Sequence, residues 1–166
     1  CETVTKDELV TNPSDYLVYK KFSTEPFTGS IKATSINPVE GSYNNGKKYG
    51  LWVTFYKSGL VKFKENYKNG EVDGIIESYF ENGNLRDKGV WRDGYYHGLV
   101  EEYYENGNLK QKAIFKDKKL TGNSEHYFES GSLHEKGNFK NGKLEGFLEE
   151  YYETGNLKRK GKYKNG

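Results

Sequence analysis

Five glycines at one spacing, Gly50, Gly74, Gly98, Gly122 and Gly146, impose a 24-residue period on this chain. A second glycine column lies nine residues further on, at Gly59, Gly83, Gly107, Gly131 and Gly155. Doubled aromatics precede it each time: Phe55-Tyr56, Tyr79-Phe80, Tyr103-Tyr104, Tyr127-Phe128 and Tyr151-Tyr152. A period of this length marks a small supersecondary unit that cannot bury an apolar face alone and gains a core only by stacking on its neighbours. The architecture follows from the repeat, whereas a partner is chosen by details of its surface.

Within one unit, Leu99 to Glu105 has strand character, Asn106-Gly107 is a two-residue hairpin signal, and Leu109 to Lys116 returns as a second strand. A type I′ turn needs positive φ at both central positions, which predicts that geometry at Asn106-Gly107 and at its counterparts Ser58-Gly59, Asn82-Gly83, Ser130-Gly131 and Thr154-Gly155. A second turn recurs at Asn69-Gly70, Asp93-Gly94, Asn141-Gly142 and Asn165-Gly166, while Lys118 stands in the glycine place of the remaining copy. Keeping positive φ there would cost about 1 kcal/mol. The pattern divides the chain into a tether over 1–16, a divergent capping repeat over 17–49 containing Pro38, and five regular repeats over 50–166.

Only 33% of the residues are hydrophobic, so aliphatic side chains cannot supply an ordinary core. The 15 Tyr, 9 Phe and 2 Trp can, because each ring buries roughly 150–250 Å². A net charge of +2 argues against a dedicated polyanion binder, and the Glu residues interleaved with the basic column Lys68, Arg92, Lys116, Lys140 and Lys164 argue against nucleic acid as partner. No stretch is long and apolar enough to span a membrane as a helix.

The unit G-x-x-E-x-Y-[YF]-E-x-G-x-L-x-x-K-G-x-[FW]-K-[ND]-G resembles the bacterial variant of the MORN repeat (MORN-2), as found in YwqK-type proteins labelled as antitoxins, over roughly residues 27–166. The resemblance implies an all-β fold: an elongated, single-layer antiparallel β-meander of stacked hairpins, one per repeat. It also implies scaffolding, membrane association or partner binding. Some relatives carry a lipid-kinase label, but this chain has neither a phosphate-binding Gly-rich loop with its Lys nor a metal-binding carboxylate set. A mature chain starting at Cys1 is similar to bacterial lipoproteins, whose terminal sulfur carries a diacylglycerol that would hold the protein on the cell envelope.

Counting outward from a two-residue turn pairs Tyr104 with Leu109, Tyr103 with Lys110 and Glu101 with Lys112. One face then packs the second aromatic of each doublet against Val61, Leu85, Leu109, Leu133 or Leu157. Its rings Tyr67, Trp91, Phe115, Phe139 and Tyr163 meet the repeat glycines, beside the small residues Gly89, Ala113, Gly137 and Gly161. The opposite face carries Glu–Lys pairs (Glu77 with Lys88 through Glu149 with Lys160) and a candidate binding surface: Tyr79, Tyr103, Tyr127 and Tyr151 with the cations Lys62, Arg86, Lys110 and Lys158. Equivalent rings would repeat about every 10 Å, suiting an extended ligand.

His97, His126 and His134 fall in different repeat columns and define neither a triad nor a metal set, and the periodic carboxylates single out no acid–base pair. The expected function is therefore non-catalytic and cofactor-free: a lipid-anchored envelope module docking a protein or another extended surface ligand. The alternative is an intracellular antitoxin-like inhibitor that covers a partner enzyme. The mass of the amino-terminal peptide from native cells checks the anchor: a diacylated Cys1 is expected, and an unmodified peptide extending upstream to a Met would contradict it.

Overall fold

In the computed structural model, which describes residues 2–164 and Gly166, regular structure is almost entirely β. The strands are β1 (Glu2–Thr5), β2 (Leu9–Thr11), β3 (Val18–Lys20), β4 (Gly29–Lys32), β5 (Val39–Asn44), β6 (Lys47–Phe55), β7 (Val61–Lys68), β8 (Glu71–Tyr79), β9 (Leu85–Arg92), β10 (Tyr95–Tyr103), β11 (Leu109–Lys116), β12 (Lys119–Tyr127), β13 (Leu133–Lys140), β14 (Lys143–Tyr151) and β15 (Leu157–Tyr163). One 3₁₀ turn, Lys6–Glu8, is the only helical element among the described residues. From β4 onward each strand hydrogen-bonds the next in chain order within one open sheet, and β1 joins it in parallel beside β4. β2 and β3 form a separate two-stranded sheet. The chain divides into two compact units, Cys1–Ile76 and Glu77–Gly166.

The first unit contains the larger apolar core. Val4, Phe27, Ile31, Tyr43 and Trp52 are buried together, with Leu9, Val18, Val39 and Tyr67 packed around them. The rings run edge to face, Phe27 to Tyr43 at 6.0 Å, Tyr43 to Trp52 at 5.0 Å and Trp52 to Tyr67 at 5.9 Å. Such pairs add about 0.5–1.5 kcal/mol each beyond the area they bury. Lys48 inserts its ammonium between Trp52 and Tyr67, 4.4 and 4.3 Å from the ring centres, and donates to the Tyr67 hydroxyl at 3.2 Å. Burial and then Glu65 push the Tyr67 phenol up to about 12. The segment expected to be a tether is structured here: Glu2–Thr5 pairs with β4, Val4 enters the core, and Lys20 pairs with Glu2. The alternating Glu2-Thr3-Val4-Thr5 pattern is short and mostly polar, so its one buried valine was not visible as a strand signal.

The two turn types differ. Asn69-Gly70 has φ of +54° and +90°, and Asp93-Gly94 and Asn141-Gly142 are alike, which is type I′ geometry. Lys118 also keeps a positive φ, +67°, in its Asp117-Lys118 turn. Its ammonium lies 3.7 Å from the centre of the Tyr95 ring, a contact worth about 0.5–1 kcal/mol that offsets part of the backbone strain.

The Asn106-Gly107 loop, by contrast, is not type I′. Gly107 alone has positive φ (+90°), its N–H donates to the Tyr104 carbonyl, and the Tyr104 N–H donates to the Asn108 carbonyl. This is a three-residue hairpin made of a type I turn closed by a glycine bulge. The Gly59, Gly83, Gly131 and Gly155 loops repeat the same pair of hydrogen bonds.

The repeat-start glycines mark a second irregularity. Gly50, Gly98, Gly122 and Gly146 stand opposite Tyr67, Phe115, Phe139 and Tyr163 on one side, as the sequence predicts. On the other side the register jumps: Ile114 faces Thr121 while Lys112 faces Glu125, and Phe139 faces Leu144 while Gly137 faces Leu148. Two extra residues are thus accommodated in β12 and again in β14. The small residues let rings lie on the backbone. A Cβ at Gly41 would meet Trp52 Cδ2 at 2.3 Å, and one at Gly89 would meet Tyr96 Cε1 at 2.8 Å. Because Trp52 is boxed in by Tyr43 and Tyr67, Gly41→Ala should destabilise the protein by about 1–3 kcal/mol, read as a lower urea midpoint at unchanged slope. An unchanged midpoint would show that the ring does not rest on Gly41.

Candidate binding face

Strand alternation makes residues two apart share a face, and the observed register turns that into a row of charges. In the second unit Glu101 stands opposite both Lys88 and Lys112, Lys112 opposite Glu125, Glu125 opposite Lys136, Lys136 opposite Glu149, and Glu149 opposite Lys160. Sign therefore alternates strand by strand from β9 to β15. The closest approaches are Lys112 to Glu125 at 2.8 Å, Lys136 to Glu149 at 2.9 Å and Lys160 to Glu149 at 2.7 Å. Each half-exposed pair is worth about 0.2–1 kcal/mol.

The tyrosines of this face sit two residues beyond the glutamates and close onto them. Tyr79 donates to Glu77 at 2.7 Å and Tyr151 to Glu149 at 2.6 Å, and Tyr127 donates to Glu125. Burial, and then the Glu101 carboxylate, raise the Tyr103 phenol. Lys160, Tyr151 and Lys136 together hold the Glu149 carboxyl down at about 2. Carboxylates, phenols and ammonium groups thus form one hydrogen-bonded lattice along the row.

The cations that the sequence places opposite these tyrosines lie elsewhere. The glycine-bulge loop shifts the pairing by one residue, so Tyr103 faces Leu109, Tyr127 faces Leu133, Tyr151 faces Leu157 and Phe55 faces Val61. Lys110 and Lys158 then become the extra residues of a bulge and reach the other face. Lys158 binds Glu150 at 2.7 Å and Lys110 lies 3.8 Å from Glu102, and those glutamates point away from Glu149 and Glu101, their chain neighbours. Arg86 pairs with Asp87 at 2.8 Å. Lys62 lies 5.4 Å from the ring centres of Tyr56 and of Phe63, and His134 stacks at 4.5 Å on Phe128. Of the second aromatics, expected against leucine, Tyr56 and Tyr152 thus take a lysine, at 5.4 and 5.8 Å, and Phe128 takes an imidazole. The tyrosine face is left with Tyr79, Tyr103, Tyr127 and Tyr151 and the Lys88-to-Lys160 row. Cys1 lies outside the described residues.

Two features went unseen in the sequence. Asn82 and Asn84 both donate to the Glu105 carbonyl, at 2.8 and 2.9 Å, and Asn106 and Asn108 both donate to the Glu129 carbonyl at 2.9 Å, so paired amides clamp each of these two loops to the next. The Asn-x-Asn spacing occurs at these two loops only, where it is equally compatible with turn chemistry alone. Beyond the charge row, the residue after each repeat glycine is an exposed apolar one at Leu51, Ile75, Leu99 and Phe147, and Asn123 in the remaining copy. Among the described residues no group of three or more His, Cys, Asp or Glu is placed to hold a metal ion.

The depressed Glu149 carboxyl contributes stability that is complete above the ordinary value of 4.5 and is lost as pH falls from there to about 2. Glu149→Gln should therefore be less stable than the parent at neutral pH, with the two unfolding curves converging near pH 2. Parallel curves across that window would contradict the coupling.

Comparison with known proteins places these observations. The sequence profile described as MORN repeat variant matches residues 48–69, 72–93, 96–117, 120–141 and 142–165. A search of curated proteins finds no match. Among solved structures, a mutant of S. aureus TarM in complex with fondaparinux, α-GlcNAc-glycerol and UDP shares 12% identity at a TM-score of 0.32, over 71% of this chain and 21% of that one. A GtfA/B complex bound to UDP and GlcNAc shares 16% identity at a TM-score of 0.30, over 86% of this chain and 25% of that one. This chain thus spans a quarter or less of those chains, and likeness at these scores carries no argument about fold or role.

Proposed function

The chain belongs to the MORN repeat variant family, and on that premise we propose that it is a non-catalytic binding scaffold that docks an extended ligand on the tyrosine face of its second unit. The observation that carries this reading is the uninterrupted alternation of Lys and Glu from Lys88 to Lys160. A catalytic centre needs one group made different from its copies by its surroundings. Here each Glu repeats the same role, bound to lysines across the strands and to a tyrosine two residues on. What the face offers is a periodic surface: phenol edges, paired charges and exposed apolar side chains in parallel rows. A partner displaced by one whole repeat, two strands or about 10 Å, meets the same contacts again, which suits a ligand that is itself extended.

Aromatic residues dominate contact energetics on such surfaces because a large ring is ordered at little entropic cost. Replacing Tyr103 and Tyr127 together with Ser removes two adjacent rings without touching the backbone ladder. The immobilised double variant should lose, by at least about tenfold, the component of native envelope extract that the parent retains, while its β-sheet circular dichroism stays unchanged. A Gln111→Ala control on the opposite face should bind like the parent. Undiminished capture by the tyrosine variant would remove this face from consideration.

A further inference from the structure

One stretch of the tyrosine face departs from the others, and from it we infer a binding site for a neutral pyranose residue between β12 and β14, formed by Asn123, Asn138 and Phe147. This inference rests on the reading of that face as the docking surface and assigns its ligand to glycans. The site exists because of the β14 bulge. Phe139 faces Leu144 and Gly137 faces Leu148, so Asn138 lies alongside the looped-out residues of β14 with no register partner there, while on its other side it faces Asn123. In the preceding repeat the same space is occupied: Ile114 Cδ1 lies 3.5 Å from a Cβ built on Gly122, and two repeats earlier Asn66 packs at 3.1 Å over Gly74. At Gly146, as at Gly98, nothing comes within 4 Å, but the residues alongside are the amides Asn123 and Asn138, where the corresponding positions beside Gly98 are Ile75 and Val90. A groove of about 430 Å³ lies here, lined by both asparagines, Glu145, Phe147 and the Glu125–Lys136–Glu149 lattice.

Its chemistry selects the ligand. Each amide offers a donor pair and an acceptor to vicinal hydroxyls, which themselves both donate and accept. Neither asparagine side chain has a hydrogen-bond partner among the described residues. Phe147 is 50% exposed; Lys160 and Lys162 lie over its ring at 4.3 and 5.8 Å from β15 and do not line the groove. The ring therefore stands as a wall whose groove side is free for the C–H face of a sugar. Glu125, Glu145 and Glu149 on the lining disfavour an anion, and Lys112, Lys136 and Lys160 already neutralise two of those carboxylates against a cation. A peptide strand would seek a sheet edge, whereas this groove opens on the face. The volume is within the roughly 300–1,000 Å³ typical of small-molecule sites.

The test is titration of the full chain with maltotriose, cellotriose, galactotriose and chitotriose, followed through the side-chain amide signals of asparagine in two-dimensional NMR. At least one trisaccharide should shift Asn123 and Asn138 by about 20 mM, which detects millimolar affinity. Asn138→Ile and, separately, Asn123→Leu copy residues that the repeat already uses at Ile114 and Leu99. Each should weaken that binding at least about tenfold while backbone signals remain native. Phe147→Ala should do the same. No shift with any of the four sugars, or equal affinity in all three variants, would overturn the site. Loss of the sugar with capture still dependent on Tyr103 and Tyr127 would overturn the ligand class alone and leave the binding face standing.

Discussion

Register governs this protein because an open sheet has no deep interior to correct a mispaired strand. In the second unit Ala113 is the one buried hydrophobic residue among those described, and every large ring there remains at least partly accessible. Little apolar burial therefore discriminates between one pairing and a neighbouring one. The discrimination comes instead from turns and bulges. Two turn chemistries alternate along the chain: a type I′ pair that returns the strand tightly, and a type I turn with a glycine bulge that inserts one residue. Between them the repeat glycines accommodate two more residues on one side of their strand. Lys and Glu meet correctly only when all of these insertions are made, so the charge row acts as a check on the pairing as well as a source of stability.

The first unit solves the same problem differently. There the aromatic stack from Phe27 to Tyr67 gives a buried core, and Gly41 allows Trp52 to rest on the backbone. In the register row the Glu–Lys lattice is replaced by Glu40, Val53 and Lys64, and Lys48 is held between rings instead of facing a carboxylate.

Much of this was legible in the sequence. The 24-residue glycine period predicted a chain-order antiparallel sheet of hairpins. Of the small residues expected beneath the ring two places on, Gly161 does meet Tyr163, whereas Gly137 meets Leu144 and Leu148 before Phe139, and the ring against Gly89 is Tyr96 and not Trp91. The Glu101–Lys112 pairing also held, because it lies beyond the bulge where the count recovers. What failed was the placing of one extra residue, Lys110, opposite the step from Glu102 to Tyr103. Asn-Gly is compatible with both a type I′ turn and a type I turn closed by a bulge, and the choice moves Lys110 and Lys158 to the opposite face. The amino-terminal strand was hidden for another reason: its partner β4 is distant in sequence and parallel, so no local pattern announces it. The groove beside Asn138 was hidden because it depends on an absence, the missing bulk of an isoleucine, and looked like ordinary repeat drift.

Function in this account depends on which face of the β9–β15 sheet meets the ligand. Photo-crosslinking in living cells reads that directly, with a benzophenone amino acid placed at Tyr103 in one variant and at Gln111, across the sheet, in another. A crosslinked adduct is expected from position 103 and none from 111. Adducts from 111 alone would place the partner on the aromatic–cation face and contradict the central claim.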